Sequence, residues 1–187
     1  MPIYRNRLVI RRQVILQLTV GQNVIHPTHG AGKITGLTEM DMVDEFKKYY
    51  VIEFFNKRLT LHVPIRNLDD SSIRKVMSEN KAEDVFEVLQ GEPEPLPNEF
   101  KKRRRKIEDW LQSGKPVDIA KAVRALAWRD KAGGLSNLEG RLFSQAKDML
   151  ITEVALATDQ DDREARTAIE EVLDTAMAAD EEKVLVH

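Results

Sequence analysis

Two spacings of apolar residues divide the chain. Residues 22–25, 33–39, 49–55 and 58–63 are short runs rich in Val, Ile, Tyr, Phe and Thr, broken by PTHGAG, by the charged DMVDEFKK and by Asn56-Lys57. Runs of this length with hairpin-like spacing predict a small, strongly bent sheet or barrel of the SH3 or Tudor type. Pro64 has no N–H to give to a ladder, so it should close the fourth strand. Residues 72–77 can supply a fifth strand, and 81–89 form a short helix with Val85, Phe86 and Leu89 on one face. Residues 1–18 stand apart as an N-terminal extension: LVIRRQVILQL is β-prone but interrupted by an arginine pair, and the pattern alone does not assign it a structure.

After the acidic, proline-stiffened segment 91–97 the apolar spacing becomes helical. Ile119, Ala120, Val123, Leu126 and Ala127 make one stripe, opened by Pro116 and ended by Gly133-Gly134. Ser136 and Glu139 form a capping box that opens a longer helix with Leu138, Leu142, Ala146, Met149, Leu150 and Val154 facing inward. Asp159, Asp161 and Asp162 suit the positive end of a last helix whose buried side is Ala165, Ile169, Val172, Leu173 and Ala176. The expectation is therefore an α+β chain of two domains. A Tudor/SH3-like β-barrel over 19–90 and a linker over 91–97 precede an all-α bundle of about four helices over 98–180, with a tail over 181–187.

The first of those helices carries the most unusual stretch, PNEFKKRRRKIEDWLQSG over residues 97–114. Asn98 is a candidate N-cap, Ser113-Gly114 a stop, and Ile107, Trp110 and Leu111 an apolar stripe. Between them Lys101, Lys102, Arg103, Arg104, Arg105 and Lys106 place six cations at the end of a helix whose dipole is already positive. Like charges three and four residues apart also repel one another. A phosphate backbone would relieve both effects, although a charge run is more often a solvated face. Phe100 lies within about 20° of Ile107 and Leu111 on a helical wheel, so spacing leaves it either at the start of the core stripe or as an exposed wedge.

Overall charge sharpens this reading. The chain is only −2 at neutral pH, yet residues 99–114 hold six cations against three carboxylates, while 115–187 hold ten against fifteen. A small basic site in an acidic body fits a local nucleic-acid contact better than general coating of DNA. With no cysteine, disulfides and thiol catalysis are excluded. No apolar run reaches 18 residues and the N-terminus lacks a signal-peptide centre, so the protein is expected to be cytoplasmic. His26 and His29 make an H-x-x-H without the further ligands that a zinc site needs. In HGAGKIT a phosphate-loop pattern fails, because Pro27 stands where its first glycine belongs and Ile34 where its hydroxyl belongs. Neither an active site nor a cofactor site is legible, which points to a non-enzymatic protein.

The segments VGQNVIHPTHGAGKITGL, RLTLHVP, AKAVRALAWRD and GLSNLEGRLFSQAKDMLITEVALA resemble the CarD/CdnL family of bacterial RNA polymerase-binding transcription regulators, collinearly from about Thr19 to about Met177. The resemblance implies a Tudor-like domain that binds a lobe of the polymerase β subunit. It also implies a helical domain that reaches the upstream edge of the transcription bubble near the promoter −10 element and stabilises the open complex. Carried over by position, the family's Trp wedge falls on Phe100 and its basic neighbours on Lys102, Arg103 and Arg105. Phe keeps an apolar face but lacks the indole N–H. Trp110 lies ten residues too late and belongs to the apolar side of the helix. Where family members often place arginines, this chain has Met40 and His62, so polymerase binding would lean on apolar contact from Met40 and Met42 with a polar contribution from His62. The expected protein is a monomer. The alternative from another class is a protein–protein adapter whose basic run meets an acidic surface, without DNA contact.

Overall fold

A computed structural model describes residues 18–43, 46–55, 57–68 and 72–185. The expectation for residues 1–17 lies outside the described residues. Five strands come first: β1 (Asn23–His26), β2 (Gly30–Val43), β3 (Phe46–Phe54), β4 (Thr60–Pro64) and β5 (Arg74–Lys75). Five helices follow: α1 (Glu79–Gln90), α2 (Phe100–Gln112), α3 (Pro116–Gly133), α4 (Asn137–Thr158) and α5 (Asp162–Leu185).

The sheet is antiparallel throughout, in the order β4-β3-β2-β1-β5. Its register shifts twice along β2 and β3, between Ile34 and Gly36 and between Glu39 and Val43, and such bulges bend a ladder. Alternation sends Val24, Ile34, Ile52, Phe54 and Val63 to one side, where they pack with Leu18, Tyr50, Leu68 and Ile73. The Tyr50 hydroxyl donates to the Leu18 carbonyl at 2.7 Å, so the one polar atom on that ring is satisfied inside the cluster. Gly32 is required by contact: a Cβ there would stand 2.7 Å from the Glu53 carbonyl oxygen on β3. Pro64 ends β4 as expected, whereas β5 is only two residues long.

The helices enclose a second apolar cluster that includes Ile107, Ile119, Leu126, Leu150, Ile151 and Ile169. Ser136 accepts from the Glu139 N–H at 3.3 Å while Glu139 accepts from the Ser136 N–H at 2.9 Å, the capping box read from the sequence. A second reciprocal cap opens α5, where Asp161 accepts from the N–H groups of Arg163 and Glu164, both at 2.8 Å, and Glu164 accepts from that of Asp161 at 3.1 Å.

Three expectations are corrected. Helix α1, grouped with the strands by the sequence reading, buries Ala82, Val85 and Leu89 in the helical cluster, because its apolar face has α3 and α5 to pack against. Segment 91–97 is not a free spacer. Leu96 packs against the same cluster, Glu94 pairs with Lys106 at 3.1 Å, and the Pro97 carbonyl accepts from Arg103 at 2.9 Å. Chain passage from strands to helices therefore occurs at residues 75–78. Finally, Glu99 and not Asn98 caps α2, without a side-chain hydrogen bond; the Asn98 carbonyl instead accepts from Arg103 at 2.8 Å.

Candidate nucleic-acid interface

Helix α2 buries Arg103, Ile107 and Leu111 on one side. Phe100 shares that side by spacing but sits on the first turn, beyond the edge of the core, and its side chain is 43% exposed. The guanidinium of Arg103 lies 5.8 Å from the centre of its ring, within cation–π range. Of the two placements open to Phe100, the exposed one is observed.

Arg103 itself departs from the expectation of a DNA contact. It is buried, its Nε donates to Glu139 Oε1 at 2.6 Å, and Nη1 donates to the carbonyls of Pro97 and Asn98. Nε and Nη1 point inward, so it holds the helix start in place. Glu139, at the head of α4, also accepts from Arg129 Nε at 3.0 Å. Burial works against a charge on Glu139, but the hydrogen bonds from Arg103 and Ser136, with the nearby charge of Arg129, hold its carboxyl down at about 2. This buried cluster joins the linker, α2, α3 and α4 at one point.

The remaining cations face outward in two groups. Lys102 pairs with Glu99 at 2.8 Å, Arg104 with Glu108 at 2.8 Å and Lys106 with Glu94 at 3.1 Å, while the Lys106 ammonium also lies 4.8 Å from the ring centre of Trp110. These exposed pairs are worth a few tenths of a kcal/mol each, so they relieve the repulsion within the run without locking it. Lys101 and Arg105, one turn apart on one face, are exposed and have no carboxylate within ion-pair distance among the described residues. Trp110 is half-buried against the helical cluster, on the apolar side where its spacing placed it.

On the sheet, Val51 stands opposite both Gly36 and His62, and Tyr49 opposite both Thr38 and Pro64. This is the face turned away from the strand cluster. Met40, half-buried, follows Thr38 by two residues and shares that face by alternation, while His62 is exposed on it. Met42 lies in β2, and its side chain is outside the described set. The H-x-x-H serves the β1–β2 turn: His26 Nδ1 accepts from the N–H groups of Thr28 at 3.1 Å and His29 at 3.3 Å. The two rings lie 4.5 Å apart, centre to centre. Burial lowers the imidazole pKa of both; the charge of His29 and then that of Lys57 lower His26 further, and the charge of Lys57 does so for His29.

Comparison with known proteins decides what this arrangement belongs to. Residues 18–77 match the CarD-like/TRCF RID domain and residues 84–170 match the CarD C-terminal domain, in the same order and over most of the chain. The chain belongs to the CarD family. A curated relative, "Putative transcription factor YdeB" of Bacillus subtilis (strain 168), is 29% identical over 136 residues, which span 72% of this chain and 88% of that protein. As a CarD-family member the protein is a transcription-associated factor of a family that interacts with RNA polymerase. The first CarD match ends at Met77, within the passage at 75–78, and the second begins inside α1. Nothing in the sequence reading gave Arg103 or Glu139 an inward role. The available signal was that each stands on an apolar helical stripe, Arg103 four residues before Ile107 and Glu139 three before Leu142.

Proposed function

We propose that this protein is a non-enzymatic regulator of transcription initiation that tethers to RNA polymerase through the outer face of its sheet and stabilises the promoter open complex with the first turns of α2. The observation that carries the reading is Phe100, an exposed aromatic on a helix start beside two cations that have no carboxylate partner among the described residues, Lys101 and Arg105. An apolar ring can fill the gap where a base step has come apart, and the adjacent cations can meet the phosphates beside it. Binding at an already opened junction avoids a few kcal/mol of unstacking, which gives selectivity for the melted state. Tethering raises the local concentration of the helix at the bubble, so weak intrinsic DNA affinity suffices.

The polymerase contact is assigned to the sheet face bearing Met40 and His62, and it extends to Met42 by the family resemblance. Lys102, Lys106 and the pair Lys101 and Arg105 supply the phosphate contacts; Arg103 positions the helix start. The test is the lifetime of open complexes on a defined promoter. Wild type should lengthen it, Phe100→Ala should lose most of that gain, and Phe100→Trp, with more area and an N–H donor, should exceed wild type. Equal lifetimes with wild type and Phe100→Ala would sink the wedge role. Binding to forked against fully paired DNA separates this reading from a protein–protein adapter, which should show no preference for the fork.

A further inference from the structure

The strand and helical clusters share no residue. Along much of the seam the two face each other across a cleft of about 430 Å³, with Thr28, His29 and Lys57 on one bank and Gln145, Asp148 and Met149 on the other. At the end nearest the chain crossing the cleft closes on a polar joint. Arg74 of β5 sends both Nη atoms to Glu153 of α4, with Nη2 to Oε2 at 2.7 Å, and its Nε donates to the Gly114 carbonyl at 2.7 Å. Glu153 is 1% exposed and accepts in addition from the Met77 N–H at 3.1 Å. Gly114, at a φ of +66°, brings the α2–α3 turn against Pro27 of the β1–β2 turn.

We propose that Arg74 and Glu153 are positioning residues: a bracket that sets the orientation of the sheet's outer face relative to the α2 start, so that a chain tethered by the first delivers the second to the bubble. Three features carry it. Among the described residues, every hydrogen bond to the buried Glu153 carboxylate comes from β5 or from the passage at 75–78, so swinging the sheet away strands a buried charge. A two-pronged guanidinium–carboxylate contact is directional, which a single ammonium contact is not. A further bond of Arg74, to Gly114, ties the same side chain to the turn that ends α2. The orienting function rests on the role proposed above; the geometric part of the inference does not.

Because the chain has no cysteine, Thr60→Cys with Glu171→Cys gives a unique pair of thiols for a donor and an acceptor dye on exposed positions of β4 and α5. Energy transfer in full-length protein should report one narrow distance distribution in the parent. Glu153→Gln and Arg74→Met should each broaden or shift it at unchanged helical circular dichroism, and Arg74→Lys, the milder change should either of those fold poorly, should fall between. A distribution unmoved in all folded variants overturns the bracket, whatever happens in transcription. In the unlabelled proteins, affinities for polymerase alone and for forked DNA alone should stay within about twofold of wild type, while the gain in open-complex lifetime falls about tenfold through the lost effective concentration. A moved distribution with an unchanged lifetime gain overturns the orienting role. If wild type itself gives no gain, the proposed function fails and the dye distances still decide the bracket.

Discussion

Arg103 and Arg105 are two residues apart on the same helix and do opposite work. The first is buried with its donors on Glu139 and on the Pro97 and Asn98 carbonyls; the second is exposed, with no carboxylate partner among the described residues. Arg103→Ala removes one side of a buried ion pair and should destabilise the fold by about 2–4 kcal/mol, read as a fall in the denaturant midpoint. Arg105→Ala should leave that midpoint nearly unchanged. Glu139 gives the same cluster a pH signature. Its carboxyl is held at about 2 in the fold, below its ordinary 4.5, so the unfolded chain takes up the proton first. The stability it contributes is fully present above about 4.5 and is lost as pH falls from there towards 2. Glu139→Gln should therefore flatten the decline of Tm between pH 5 and pH 2.5 relative to wild type. The direction reverses any expectation based on burial alone, which would raise the carboxyl and make acid stabilising.

At the scale of elements, α2 is a helix whose charged side is only partly neutralised from within. If Lys101 and Arg105 meet phosphates, replacing both with Gln should reduce the slope of log affinity against log salt concentration by about 1.8 for duplex DNA. An unchanged slope would remove both from the interface. In the sheet, Gly32→Ala would drive a methyl into the Glu53 carbonyl, and since that atom is backbone the β2–β3 pairing must shift. Loss of about 1–3 kcal/mol and of protection at the β2–β3 amides in hydrogen exchange is the expected outcome. The central parts of the four longer strands and of every helix were legible in the sequence because each follows one period there, but β2 and β3 run on into DMVDEFKK, which read as a break, and α5 runs to Leu185, into the expected tail. The capping box was legible because its two residues are local. What the sequence did not disclose is which charged groups turn inward. On α4, Glu139, Leu142, Ala146, Leu150 and Glu153 lie along one stripe, and the two carboxylates on it are the ones that bind Arg103 and Arg74. A binary pattern counts them as polar interruptions; only the partners, 36 and 79 residues away in sequence, make them interior.

Across the whole molecule, proline content was a misleading guide to where the chain divides. Segment 91–97 is stiff and acidic, which suggested a spacer, yet its acidic residue Glu94 pairs with α2 and its Leu96 lies on the helical cluster. Composition reports what a segment can do in isolation, and tertiary contacts decided otherwise. The Phe100 assignment likewise depended on tertiary structure: its angular position matches the core stripe, but the core ends one turn before it reaches the ring.

The place of α1 has a practical consequence for anyone dividing this chain into pieces. A fragment that stops at Gln90 keeps that helix while discarding everything it is buried against, leaving Val85 and Leu89 bare to water, and it should be prone to self-association. A fragment that stops at Lys75 sheds the helix and keeps all five strands, so it should be the more soluble of the two by sedimentation. Its complement is best begun at Val76, since a start at Asn98 would strip Ala82, Val85 and Leu89 out of the helical interior and leave a void in their place.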